Sequence, residues 1–253
     1  MLNDEQLHAI MPALSVTKRV ELLPFLQAAM AEFAIDQPAR EAAFVAQLAH
    51  ESGQFRFMEE IWGPTAAQRR YEPHSTLAAT LGNTAPGDGK RFKGRGPIQI
   101  TGRANYHRFG ALLGIDLVSD PERAAVPDLA FRIAGLFWMK KGLNELADRT
   151  SAEAFREITK RINGGVNGQK DRERFYAAAR AVLGVTEPPL PRGTGLGDRS
   201  PGAEAEFERG HEAIRAFARR RRARKTAPRS RTTAARRPGT ARGSRQARRA
   251  TTP

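Results

Sequence analysis

AHESGQFRFMEE, Ala49 to Glu60, is the stretch on which the fold turns. Leading into it, Ala43, Phe44, Gln47, Leu48 and Glu51 recur at helical spacing over Arg40 to Ser52, with Pro38 near the start. That period predicts a helix with an apolar face, and a proline suits its first turn. Gly53 is a stop signal, because glycine adopts the left-handed conformation that ends many helices. Glu60 follows nine residues after Glu51. On one straight helix, nine residues would span about 13.5 Å and two and a half turns. With a break at Gly53, Glu60 can fold back across a cleft from Glu51.

Outward from this stretch, residues 1–184 keep a periodic apolar pattern. Val16 to Ile35 reads as helix, with Pro24 expected to split or kink it. Asn105 to Leu113 is a shorter candidate. Pro127 to Ala147 is the strongest pattern, with Leu129, Ile133, Leu136, Phe137, Lys140 and Leu143 at helical intervals. Phe155 to Arg161 and Asp171 to Leu183 read as the last two helices, joined by INGGVNG. Gly63 to Gly96 is rich in Gly, Pro, Thr, Asn and Asp, and reads as long loops with one short hairpin.

Composition removes several function classes. The chain has 253 residues, enough for one large domain or two small ones, and 40% are hydrophobic, enough for an ordinary core. There is no run of 18 apolar residues to cross a bilayer as a helix. Cysteine is absent, which excludes disulfides and thiolate metal sites. The five histidines show no ligand spacing, so no metal centre built on them is expected, with an Asp/Glu cation site left open; no cofactor is expected. GDGK at Gly87–Lys90 is not a phosphate loop, because Thr84 stands where its first glycine is needed. The first twenty residues lack the basic start and unbroken apolar run of a secretory signal. If the protein works outside the cytoplasm, something else must release it.

The net charge of +15 is unevenly spread. Arg219 to Pro253 holds 14 Lys/Arg and no acid, so the first 218 residues carry only +1. A near-neutral globule with a cationic tail is not a uniformly basic nucleic-acid binder.

Glycosidic bonds are cleaved by two carboxyl groups, one protonated and one ionised. Glu51 closes an apolar helix, where desolvation suits a general acid. Glu60 lies beside Glu59 and near Arg69 and Arg70, a polar setting that suits a base. Glutamates nine apart are common, so this pair alone is weak. The run KGRGPIQITGRANY, Lys93 to Tyr106, strengthens it. Its glycines let backbone pass close to a ligand, and Gln99, Thr101 and Asn105 can bond to acetamido groups, hydroxyls or a water. A strand and turn with solvated side chains would read the same way. Trp62 could stack on a sugar or pack under its loop. Trp138 belongs to the core, and His50 points away from Glu51 as a structural residue.

HES at His50–Ser52, EEIWGPT at Glu59–Thr65, GRGPIQITGRANY at Gly94–Tyr106 and INGG at Ile162–Gly165 resemble glycoside hydrolase family 19. This is the chitinase family with a lysozyme-like fold; its bacterial and phage branch contains endolysins that cut peptidoglycan. The likeness covers roughly residues 35–184. It implies a mainly α (α+β lysozyme-like) fold: a helical two-lobed domain with a central cleft and at most a small β-hairpin. It places the general acid on Glu51, the general base on Glu60 and the water-positioning hydroxyl on Thr101. Sugar-contacting positions fall on Gln99, Asn105, Tyr106 and Asn163, with Trp62 as a further candidate. Arg172, in RERFY, takes the place of an arginine that supports the carboxylates. The implied reaction is inverting hydrolysis of β-1,4 bonds beside N-acetylated sugars. Plant members have disulfides and a longer loop after the second acid. Their absence here implies a more open cleft.

The expected organisation is a catalytic domain over 1–184, a Pro/Gly-rich linker over 185–202, a basic amphipathic helix over 203–225 and a disordered Arg-rich tail over 226–253. The tail suits anionic envelope polymers or a membrane surface, ahead of nucleic acid or a passive role. The expected partner is peptidoglycan or a chitin-like glycan, and the expected state a monomer. An endolysin-type wall hydrolase is the leading function. A chitinase is the alternative, and a non-catalytic glycan- or nucleic-acid-binding protein the third.

Overall fold

Side-chain caps and apolar stripes set the helices of this computed structural model, which describes residues 1–186. The expected helix at 203–225, the tail at 226–253 and nearly all of the linker lie outside the described residues. Within them the chain forms α1 (Asp4–Ile10), α2 (Val16–Glu32), α3 (Pro38–Ser52), α4 (Ala66–Arg69), α5 (Thr76–Leu81), α6 (Asp88–Arg91), α7 (Arg103–Leu113), α8 (Pro127–Lys140), α9 (Leu143–Ala147), α10 (Ala152–Asn163) and α11 (Gln169–Leu183), with a short 3-10 turn at Pro121–Ala125. The fold is mainly α. Its β content among the described residues is two isolated antiparallel bridges, Glu59 with Arg95 and Arg95 with Ile100. The second closes a small hairpin.

α3 is the central helix. Ala42, Ala43, Phe44, Val45, Ala46, Leu48 and Ala49 are all buried, so it is apolar almost all round. α11 packs along it, α1 packs on α11, and α2 pairs with α8. Phe44 meets Trp138 edge to face at 5.2 Å. Each such aromatic stabilises the core by about 1.5–3 kcal/mol through burial. α3 ends at Gly53, which adopts the left-handed conformation (φ +61°). The helix expected from Arg40 to Ser52 is therefore present, starting two residues earlier at Pro38.

Three expectations change, and one helix was not foreseen. α2 runs unbroken through Pro24. Pro24 and Val20, whose carbonyl loses its helical partner there, both face solvent, so water can satisfy the lost bond. The Pro127–Ala147 pattern is two helices, because Gly142 turns left-handed (φ +60°) between them. Trp138 Nε1 donates to Asn144 Oδ1 at 2.8 Å and latches α9 back onto α8. The 63–96 stretch holds three short helices rather than loops alone. Ser and Thr caps at Thr65 and Ser75 start α4 and α5. A short N-terminal helix, α1, begins with a capping box on Asn3.

Candidate active site

Glu51 occupies the last turn of α3, with its side chain 20% exposed. Arg172, on α11 and 1% exposed, places Nη2 2.5 Å from Glu51 Oε1. Two further contacts fix this guanidinium. Nη1 donates to Gln47 Oε1, and Nε donates to Asn167 O at 3.3 Å. Gln47 in turn donates to Thr159 Oγ1 at 2.9 Å, whose hydroxyl donates to Phe155 O at 3.2 Å. Gln47 lies one helical turn before Glu51 and on the same face. The residues flanking this pair repeat the contact: His50 Nδ1 shares a 2.7 Å hydrogen bond with Asp171 Oδ2. Two successive residues of α11 thus hold two successive residues of α3. His50 is structural, as expected. The surroundings of Glu51 are not simply apolar. Burial favours a neutral carboxyl, whereas an adjacent guanidinium favours its charged form.

After Glu51 the chain reverses sharply. Gly53, Gln54 and Phe55 all have positive φ, near +60°. Phe57 N–H then donates to Ser52 O, and Gly96 N–H donates to Met58 O at 2.7 Å. This carries the chain onto the hairpin and delivers Glu60, which is 5% exposed.

Donors hold both oxygens of Glu60. Gln68 Nε2 donates to Oε1 and Gly94 N–H to Oε2, each at 3.0 Å. N–H donors on both oxygens are the arrangement that keeps a carboxylate charged. The polar setting expected of Glu60 is therefore present, but Gln68 and Gly94 supply it. Arg69 and Arg70 are exposed. The adjacent Glu59 pairs with Lys93 (3.2 Å) and Arg95 (3.0 Å). Burial pushes its carboxyl up, but the two cations outweigh this and leave it below the usual range. Tyr71, beneath this segment, is pushed well above the ordinary phenol range by burial and by the charge of Glu60.

Thr101 sits against the same glycine as Glu60. A β-carbon on Gly94 would lie 3.3 Å from Thr101 Oγ1 and 2.7 Å from Gln99 Oε1. The structure thus gathers Glu60, Gly94, Gln99 and Thr101 around one point. Thr101 is buried, and its hydroxyl donates to Gln99 O at 3.2 Å. Gln99 has positive φ (+56°) and spends its amide on Phe57 O and Gly96 O. Asn105, half-buried at the start of α7, donates to Thr101 O at 2.8 Å.

Three expected sugar-contacting residues have internal roles. Tyr106 is fully buried (0%); its hydroxyl donates to Lys93 O at 2.6 Å and accepts from Arg95 Nη1 at 2.9 Å. It braces the hairpin and presents no surface to a glycan. Asn163 is buried and folds its amide onto Gly165 O and Asn167 O, shaping the loop after α10. Trp62 is half-buried and tilted against Tyr71 at 6.1 Å, so it packs under its loop while keeping part of its ring exposed.

Gln68 holds Glu60, and Gln47 braces the Arg172 that holds Glu51; sequence reasoning assigned neither to the site. Gln68 is readable as the fourth residue of a Thr-x-x-Gln capping box at Thr65. Gln47 is a polar residue in an apolar run, one turn before Glu51. Among the described residues no cluster of His, Asp and Glu could hold a metal ion, and no helix is long and apolar enough to cross a membrane.

The glycoside hydrolase family 19 model described as "Chitinase class I" matches residues 27–152. A glycosyl hydrolase family 19 domain-containing protein of Haemophilus influenzae is 37% identical over 163 residues, covering 55% of this chain and 78% of the relative. An endochitinase of Arabidopsis thaliana is 42% identical over 152 residues, covering 57% of this chain and 48% of its own length. The chain thus spans about half the length of that plant relative. Chitinase C from Streptomyces griseus superposes with a TM-score of 0.57 at 22% identity, covering 74% of this chain and 78% of its own. At that identity the likeness shows the fold alone.

Proposed function

Because this chain belongs to glycoside hydrolase family 19, we propose that it hydrolyses β-1,4 bonds between N-acetylated amino sugars, with the peptidoglycan of a bacterial wall as substrate. The observation that carries this reading is the pair of separately held carboxylates, Glu51 on Arg172 and Glu60 on Gln68 and Gly94. In it, Glu51 gives its proton to the leaving oxygen, and Arg172 stabilises the carboxylate that results. Glu60 takes a proton from a water, oriented by the Thr101 hydroxyl once substrate turns that hydroxyl toward the cleft. The water attacks the anomeric carbon from the opposite face, so the configuration inverts.

Peptidoglycan is preferred because residues 219–253 hold 14 Lys/Arg and no acid, suited to the anionic polymers of a cell envelope. Chitin is the second reading, favoured by relatives named endochitinases. Digestion of purified peptidoglycan and of chitin oligomers, side by side with mass spectrometry of the products, separates the two. Disaccharide-peptides with reducing muramic acid ends support the first reading. Rapid chitin cleavage with an intact wall replaces it by the second.

A further inference from the structure

A groove of about 410 Å³ lies along α10 and the loop that follows it, lined by Arg156, Glu157, Lys160, Arg161, Gly164, Gly165 and Val166. Three cations face one acid there. Glu157 is shared between Arg161 (3.4 Å) and Lys160 (3.7 Å), and Arg161 also donates to Lys141 O at 3.1 Å. Arg156 has no ion pair or hydrogen bond among the described residues. Arg156 and Lys160 stand four residues apart, one turn along the same helical face. A like-charge pair at that spacing weakens a helix rather than supporting it. The groove therefore keeps a positive excess that folding does not require.

The same loop reaches the catalytic carboxylate. Gly164, Gly165 and Val166 line the groove, and the next residue, Asn167, accepts the hydrogen bond from Arg172 Nε. Arg172 then holds Glu51. The cationic groove and the acid are thus two sides of one short segment. Val166, 38% exposed, adds an apolar surface to the groove.

A chitin chain is neutral and gains nothing from such a groove. The glycan of peptidoglycan carries, on every second sugar, a peptide with several free carboxylates. We infer that the groove between α10 and the Gly164–Val166 loop receives those stem-peptide carboxylates, with Arg156 and Lys160 as their partners, and selects peptidoglycan over unsubstituted glycan. This rests on the reading of Glu51 and Glu60 as the pair that cuts the wall glycan. The groove is open to solvent, so its attraction weakens as salt rises.

The test compares kcat/KM on soluble wall fragments that keep their stem peptides with kcat/KM on the same glycans stripped by an amidase. Wild type prefers the stem-bearing fragments. Charge reversal by Arg156→Glu with Lys160→Glu lowers that preference by about tenfold, the scale of two part-exposed charge contacts reversed in sign. Cleavage of stripped glycan stays unchanged, and the melting temperature falls only slightly, from loss of the exposed Lys160–Glu157 pair. A preference that survives the double substitution, or an equal fall on both substrates, overturns the inference. Failure of wild type to cut either substrate instead overturns the reading of the carboxylate pair. Binding of the free stem tetrapeptide, followed by NMR titration, then still decides the groove: charge reversal must weaken it, and unchanged binding overturns the inference.

Discussion

Gly94 and Glu60 are joined by two reciprocal hydrogen bonds: Gly94 N–H donates to Glu60 Oε2 at 3.0 Å, and Glu60 N–H donates to Gly94 O at 2.8 Å. The backbone that positions Glu60 is thus also a ligand of its carboxylate. A β-carbon on Gly94 would meet Gln99 Oε1 at 2.7 Å, so the Gln99 amide would have to leave Phe57 O and Gly96 O. Gly94→Ala should displace Gln99 and Thr101 together. Overpacking of this kind costs about 1–3 kcal/mol of stability. A shift near 1 Å at the reacting groups costs about a hundredfold in rate. Steady-state kinetics on soluble glycan fragments, read beside a thermal melt, check this. A variant with wild-type kcat/KM would remove Gly94 from the account of Glu60.

Glu51→Gln removes the proton but keeps an oxygen that can still accept from Arg172. Loss of a general acid costs about 10²–10⁴-fold in kcat. The fold should persist, since α3 is held by its buried apolar residues. Near-normal turnover in this variant would move the acid role elsewhere.

Arg172→Lys should be far from conservative. One ammonium cannot reach Glu51 Oε1, Gln47 Oε1 and Asn167 O as the fixed fork of a guanidinium does. Removing one partner of a buried pair costs about 3–5 kcal/mol, and the part-exposed Glu51 places this case at the low end. Urea unfolding gives the stability change. An Asp171→Asn control, which loosens the neighbouring contact to His50, should cost less. If the two variants unfold alike, the Arg172–Glu51 contact has no special weight.

Much of this arrangement was legible in the chain, for a physical reason. Helical period and caps are local, so α3, its stop at Gly53 and the presence of α10 and α11 follow from nearby residues, although α10 starts three residues earlier than its apolar pattern, on its Ser151 cap, and α11 two residues earlier. The roles of Tyr106 and Asn163 were not legible. Whether a tyrosine turns inward depends on Arg95 and on Lys93 O, brought to it by tertiary folding. The reversal at Gln54 and Phe55 was hidden too, since neither residue type signals a positive φ. The break at Gly142 was present as a glycine but was outweighed by the apolar period running across it. The Arg172–Glu51 contact joins residues 121 apart, and only the family resemblance pointed to it.

Deleting residues 219–253 removes 14 positive charges and leaves the described domain intact in sequence. Action on whole cells should fall several-fold at low salt, and the difference should fade as the Debye length shrinks toward about 8 Å at 0.15 M. Activity on soluble fragments should not change. Equal losses on cells and fragments would show that the tail acts on the catalytic domain rather than on the target surface.

Asp88 gives a pH-dependent prediction. It is buried and accepts from Thr84 N (2.9 Å), Ala85 N (3.0 Å), Arg103 Nε (2.9 Å) and Arg103 Nη2 (2.6 Å). These contacts tie α6 to the start of α7 and so bracket the hairpin carrying Gly94 and Thr101. Burial pushes its carboxyl up, but the Arg103 guanidinium and the two backbone N–H groups outweigh burial and hold it below the usual range. A carboxylate with a lowered folded value adds stability that is complete above its unfolded value of about 3.9 and is lost as pH falls through the folded value. Asp88→Asn should therefore lower the urea midpoint clearly at neutral pH, and the gap to wild type should close as pH falls below about 4. A gap that stays constant from pH 7 to about 3 would mean that the charge on Asp88 contributes nothing and that the side chain acts by shape alone.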